Sequence, residues 1–394
     1  MNEVAPWAAR LRAERRSRCW SQREMAKQLA EAADDRVRAR LPTRESLVRS
    51  LKTWESGKHR PRDPYPQLFA RAFGVAEAEL FGDACDTAEQ DPGPLPSKTP
   101  RLVSPDLVGY FRDQLMIHYR ADALLGPRYL VGPVCSQFSS IMELAGGAEP
   151  GLRRELFRLA AAYAAFAGWL YQDAGSTERA SFWLSANLEA AHRAQDVHLV
   201  SHALTNRAML SADLGDSTAV IDLTEAALAD QHRLIPKMRL LALQQGAHGH
   251  ALAGNQGHCE RLLEQAERLV GILDDDLLVG AACRTPNYLL IQRATCYGHL
   301  GLARQSSVLW EEIIPAMPVT SRRDVGVFRA RQAVALAVTE AEQAAQAALE
   351  AIQVARETGS ARLIRELTGL RPQMTAWKDS RVGRDLAEKL SDLA

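Results

Sequence analysis

Leu47-Val48-Arg49-Ser50-Leu51-Lys52-Thr53-Trp54-Glu55-Ser56-Gly57-Lys58-His59-Arg60-Pro61 reads as one amphipathic helix followed by a stop. Leu47, Leu51 and Trp54 recur at helical spacing and share a face, while Arg49, Ser50, Lys52 and Thr53 fall elsewhere and point outward. Gly57 closes the helix, because a glycine tolerates the left-handed turn that ends it. Upstream, Ser21-Gln22-Arg23-Glu24 has the pattern of a capping box, with Ser21 as cap and Glu24 reaching back. Met25, Ala26 and Leu29 then face inward. A first helix runs from about Pro6 to Arg18, with Trp7, Ala8 and Leu11 on its inner face. A last one, Tyr65 to Phe73, precedes Gly74-Val75 and Glu79-Leu80-Phe81-Gly82.

Charge is divided unevenly along the chain. Residues 1–73 hold 17 Lys and Arg against 9 Asp and Glu, a net +8, and the remainder carries −8, so the 394 residues sum to zero. A basic head on an acidic body fits a head that meets a polyanion; a merely solvated basic surface has the same composition. The six cysteines (Cys19, Cys85, Cys135, Cys259, Cys283, Cys296) are scattered, with no C-x-x-C pair, as in a reducing compartment. No apolar signal core opens the chain, and no apolar run reaches the ~18 residues of a membrane span. The expectation is a cytoplasmic protein with no membrane partner.

Residues 85–105, with Pro92, Pro94, Pro96, Pro100 and Pro105, read as a linker between a head over 1–84 and a body over 106–394. No alternating, strand-like segment stands out, so the expected fold class is all-α. The body repeats. Gly175, Gly215, Gly254 and Gly301 each follow a helical stretch at spacings of 40, 39 and 47 residues. Seven residues before them stand Gly168, Ala208, Ala247 and Ala294, and five residues after them Ala180, Val220, Cys259 and Ser306. This is the register of helical hairpins: a small residue for close approach, a left-handed glycine to end the first helix, a modest side chain to start the second. A looser copy spans Val327 to Glu357, with Ala335 and Ala347 in register and Glu342 in the glycine's place.

The ordered set Ser-Gln-Arg-Glu-Met-Ala (21–26), Trp-Glu-Ser-Gly-Lys-His-Arg-Pro (54–61), Phe-Gly-Val (73–75) and Glu-Leu-Phe-Gly (79–82) resembles the xenobiotic-response-element and phage Cro/repressor type of helix-turn-helix. The resemblance covers residues 5–82. It departs in one place: Glu31 to Arg44 inserts about a dozen residues, including Asp34, Asp35, Arg36, Arg38 and Arg40, where the family has a short turn. That insert either adds phosphate contacts or is an ornament. The resemblance implies that the helix after it enters a major groove of double-stranded DNA. Arg49 and Lys52 are then the base readers, and Ser50 and Thr53 read bases or phosphates. Gln22 and Arg23, at a helix start, face phosphate, Lys58 and Arg60 clamp the backbone, and Arg44 is a further DNA contact. Trp54 is assigned to the core.

The body resembles tetratricopeptide repeats of longer than usual period, and with its closing segment Ala355-Arg356-Glu357-Thr358-Gly359-Ser360-Ala361-Arg362 it is similar to the repeat arrays of actinobacterial helix-turn-helix regulators. Such a solenoid offers a concave groove. Nine residues before the glycines lie Phe166, Asn206, Gln245 and Gln292; the three amides either hold a peptide backbone or bridge neighbouring helices. Trp169, Met209, His248 and Tyr288 are placed near them as further effector contacts. The repeat domain is expected to sense a peptide or small-molecule effector or to mediate dimerisation, and the chain is expected to pair as a homodimer. Catalytic motifs are missing: His198-Leu-Val-Ser-His202 lacks the zinc-protease glutamate, and neither G-x-S-x-G nor G-x-G-x-x-G occurs. His248 and His250 sit on nearly opposite helix faces, and Asp274-Asp275-Asp276 reads as a turn and cap. No enzyme, cofactor or metal site is expected. The competing reading is an interaction scaffold with a DNA-tethering or docking head.

Overall fold

A computed structural model describes residues 6–18, 20–38, 41–73, 75, 77–81, 103–273, 279–280 and 287–393. The described residues are helical, with turns and no strand. The chain divides into two compact units, residues 1–99 and 100–394. Cys19, Arg40, Gly74, Gly82, Cys85, Asp274-Asp275-Asp276, Cys283 and the proline-rich segment up to residue 102 lie outside the described residues, as do the side chains of Asp35 and Arg36.

The N-terminal unit holds α1 (Pro6–Ser17), α2 (Gln22–Glu31), the single turn α3 (Asp35–Arg38), α4 (Arg44–Glu55), α5 (Tyr65–Phe73) and α6 (Glu77–Phe81). The capping box is present: the Ser21 hydroxyl accepts from the Glu24 amide at 3.1 Å, and the Glu24 carboxylate accepts from the Ser21 amide at 2.6 Å. One core gathers Trp7, Ala8, Leu11, Met25, Ala26, Leu29, Leu47, Leu51 and Trp54 with Phe69, Phe73 and Phe81. Trp54 is structural, its ring 4.7 Å from Tyr65 and 5.8 Å, edge-on, from Phe69.

The C-terminal unit holds α7 (Pro105–Leu125), α8 (Pro127–Gly147), α9 (Pro150–Asp173), α10 (Thr177–Arg193), α11 (Val197–Asp213), α12 (Ser217–Ala227), α13 (Pro236–Leu252), α14 (Gln256–Glu267), α15 (Tyr288–His299), α16 (Ala303–Ile313), α17 (Arg322–Leu336), α18 (Ala341–Thr358), α19 (Ala361–Thr368), α20 (Leu370–Gln373) and α21 (Arg381–Ser391). From α9 to α18 the helices pack in consecutive pairs. The register read from the glycines has a direct physical cause. Gly175, Gly215, Gly254 and Gly301 have φ between 72° and 76°, and the small residues Ala208, Ala247, Ala294, Ala180, Val220, Cys259 and Ser306 are fully buried. A Cβ on Gly168 would come within 2.6 Å of the Leu184 side chain, so α10 seats where only glycine leaves room. In α16 the Ser306 hydroxyl donates to the Ala294 carbonyl of α15 at 2.8 Å, joining the two register positions directly.

The first-in-pair helices do not simply extend. α9, α11, α13, α15, α17 and α19 pack each on the next, and α19 packs back on α9. The open concave groove expected from the repeats is therefore a closed circuit of inner helices. Its closure is chemical as well as steric, because residues far apart in sequence form ion pairs across it.

Candidate functional site

α4 is held from behind by charge as well as by apolar packing. Glu55, 5% exposed, accepts from the Arg15 guanidinium of α1 at 2.6 and 2.9 Å and from the Gln22 amide of α2 at 2.9 Å. Arg12 donates to the Glu55 carbonyl. Burial opposes ionisation of Glu55, but the Arg15 and Gln22 hydrogen bonds and the Arg15 and Arg12 charges outweigh it and hold the carboxyl below its ordinary range. Three helices are thus pinned at one carboxylate, and the orientation of α4 is fixed at its C-terminal end. Thr43 caps its other end, accepting from the Ser46 amide.

Opposite this anchored side, Arg49 and Lys52 are exposed, and neither has an ion-pair partner among the described residues. Ser50 and Thr53 are half-buried on the flank of Arg49 away from Lys52, and the Thr53 hydroxyl donates to the Arg49 carbonyl at 3.1 Å, leaving its oxygen as an acceptor. Arg23 and Lys58 are exposed. Arg44 is exposed and donates to the Arg23 carbonyl at 3.2 Å, tying the start of α4 to the start of α2. Two of the expected phosphate contacts are otherwise engaged. The side chain of Gln22 turns inward to Glu55, and Arg60 donates to the Phe81 carbonyl, so both serve the fold first.

The insert has a structural use. Arg38 donates to the carbonyls of Ala30 at 3.1 Å, Glu31 at 3.4 Å and Ala33 at 2.7 Å. Carbonyls at the end of a helix have no intrahelical partner, and a guanidinium there also meets the negative end of the helix dipole. With α2 and the start of α4, the insert encloses a groove of about 510 Å³ between Ala26, Lys27, Ala30, Arg38, Leu41 and Leu47.

In the C-terminal unit, the expected effector contacts distribute one by one over the inner helices rather than as a free set. Asn206 on α11 lies 3.2 Å from His202 Nδ1 on its own helix. Gln245 on α13 is buried; its carbonyl oxygen lies 3.5 Å from the Gln244 amide nitrogen, and its own amide nitrogen is unpartnered. Gln292 on α15 and Met209 on α11 are half-buried. His248 has a buried, unpartnered Nε2, and its ring lies 4.9 Å from His299 of α15. Burial, then the charges of His299 and Arg331, push its pKa well down, so the imidazole is neutral.

Trp169 and Tyr288 depart from expectation. The Trp169 indole donates to Asp122 Oδ2 at 3.1 Å and lies under the Arg362 guanidinium at 5.0 Å, so its polar edge and one face are occupied by the protein itself. Tyr288 is the first residue of α15 and packs on the core. The α15 position in register with Trp169, Met209 and His248 is Thr295, whose hydroxyl faces Arg331 Nη1 at 3.0 Å.

What the sequence did not mark is the polar belt along the circuit. Asp173, fully buried on α9, meets Arg323 of α17 at 2.7 Å and Arg362 of α19 at 3.2 Å. Arg323 also reaches Asp122 of α7 at 2.9 Å, and Arg362 reaches Asp324 at 2.6 Å. Asp213 of α11 meets Arg365 of α19 and Gln172 of α9, each at 2.7 Å. Arg331 of α17 meets Glu366 of α19 at 2.7 Å. The closing motif quoted above supplies much of this: Gly359 ends α18 at φ 61°, Ser360 caps α19, and Arg362 enters the belt. The signal available was the acidic residue two before the first two glycines, Asp173 and Asp213.

No protein-family model matches the chain, and no curated protein shows significant similarity to it. Among the described residues there is no cluster of three or more His, Cys, Asp or Glu side chains suited to a metal, and no helix long and apolar enough to cross a membrane.

Proposed function

We propose that the chain is a sequence-specific DNA-binding regulator: its N-terminal unit is a helix-turn-helix head, and its C-terminal unit is a tetratricopeptide-like array that senses a peptide or small molecule. The observation that carries this reading is the pair Arg49 and Lys52, exposed and without ion-pair partners, on a helix whose opposite side is locked by Leu47, Leu51, Trp54 and the Glu55–Arg15 bond. An element held this firmly presents its outward side chains to a groove without the cost of ordering its backbone on binding. Arg23, Arg44 and Lys58 add exposed charge for the phosphates. The effector acts through the inner helices, where Gln245 and His248 keep unpartnered polar atoms. A ligand there shifts an equilibrium between arrangements of the circuit. The head works as one of a pair, since a single head offers little area for tight binding.

The test is a titration across base-substituted duplexes. Arg49→Ala loses about 1–3 kcal/mol on the preferred sequence and relaxes preference at one position, whereas Lys58→Ala weakens all sequences alike. An unchanged base preference in Arg49→Ala rejects the assignment of α4 as the reading helix.

A further inference from the structure

α7 carries a stripe that the described residues of its unit leave largely exposed. Tyr110, Ile117 and Leu124 are 52%, 46% and 73% exposed and stand seven residues apart, two helical turns each, along one line. Met116, Leu125 and Tyr129 widen the exposed apolar surface. The buried side of the same helix, Phe111 and Leu115, packs into the core, so the stripe is a second face and not a loosened first one. Large apolar side chains contiguous on one helix mark an interaction surface.

The flanking charges say what fits it. Asp113 and Arg120 are exposed, lie on the same flank of the stripe, and have no ion-pair partner among the described residues. We infer that this face of α7 binds the α7 of a second copy, antiparallel, about a two-fold axis at Ile117. In that arrangement Ile117 meets Ile117 of the second copy, and Tyr110 meets Leu124. Asp113 comes opposite Arg120, because these positions are nearly equidistant from the axis. A two-fold axis puts the same flank of both helices on one side, so both Asp113–Arg120 pairs form. A parallel pairing, whose two-fold axis runs along the helices, puts this flank of the two copies on opposite sides of the seam, so neither Asp113–Arg120 pair forms and the antiparallel arrangement is favoured. The stripe between Tyr110 and Leu124 is about 21 Å long at 1.5 Å per residue. With Leu125 and Tyr129 it suits a small isologous interface whose dimer responds to concentration.

This deepens the pairing in the reading above, and its test reads mass without DNA, so its failure leaves the DNA titration untouched. Sedimentation equilibrium of the intact chain gives twice the 43.4 kDa chain mass in the micromolar range. Ile117→Asp sets two carboxylates against each other at the axis and gives the single-chain mass, with an unchanged circular dichroism spectrum. Asp113→Arg and Arg120→Asp each weaken the dimer about tenfold, as two symmetry-related pairs become repulsions. Combining Asp113→Arg with Arg120→Asp restores it. The inference is overturned by a monomeric wild-type chain, by a dimer that survives Ile117→Asp, or by a double variant no tighter than the single ones.

Discussion

Replacing Glu55 by Gln probes how α4 is held. The carboxylate is 5% exposed and accepts two hydrogen bonds from Arg15, whose side chain is 12% exposed, and one from Gln22. Glutamine keeps the shape but leaves the Arg15 guanidinium largely buried without a counter-charge. Removing one partner of a buried pair costs about 3–5 kcal/mol. Arg15 retains its bond to the Trp20 carbonyl at 2.7 Å and some access to water, which places the expectation near the lower end, about 3 kcal/mol. By hydrogen exchange on the intact chain, amides of α1, α2 and α4 should lose protection by roughly 150-fold, the factor that 3 kcal/mol represents. Amides of α9 to α19 should not change. Joint replacement of Arg15 and Glu55 by leucine should recover part of the loss, because no buried charge is then stranded. Unchanged protection in α4 after Glu55→Gln would show that the apolar face alone fixes the helix.

Asp173→Asn removes the carboxylate shared by Arg323 and Arg362 and leaves two guanidinium groups facing a neutral amide; about 2–4 kcal/mol of local stability should go, seen as faster exchange in 322–336 and 361–368. His202, pushed down to about 4 by burial and then by the Lys237 charge, makes the C-terminal unit acid-sensitive. The unfolded imidazole takes its proton near 6.5 and the folded one only near 4, so stability is complete above 6.5 and declines by about 3 kcal/mol as pH falls through that window; urea midpoints from pH 7 to 4 should flatten in His202→Gln. Glu55 acts at lower pH: its depressed pKa gives the head stability that is present above the ordinary value of 4.5 and is lost as pH falls below it.

Much of the fold was legible because its determinants are local. The capping box at Ser21 and Glu24, the Leu47–Leu51–Trp54 face and the four left-handed glycines are each written within a few residues, and each is where the spacing placed it. The closure of the inner helices was not legible, since Arg323 reaches Asp122 across 201 residues and Asp173 across 150, and no period marks such a pair. The same reason misplaced Trp169: helical register puts it on an inner helix, but not beneath Arg362. Tyr288 failed differently, because the register position on α15 falls at Thr295. The use of Arg38, in the insert assigned to phosphate contacts or to ornament, shows only where the fold brings the carbonyls of Ala30 and Ala33 beside it.

The most direct measurement is binding of the intact chain to duplex DNA as a function of salt. Five exposed cations, Arg23, Arg44, Arg49, Lys52 and Lys58, surround or occupy α4. If Arg23, Arg44 and Lys58 neutralise phosphates while Arg49 and Lys52 read bases, the logarithm of the binding constant falls against the logarithm of salt with a slope of about −3 per head. Arg23→Ala and Lys58→Ala should each bring that slope closer to zero. A chain that leaves duplexes unbound at about 50 mM salt, or whose binding ignores salt, contradicts the account.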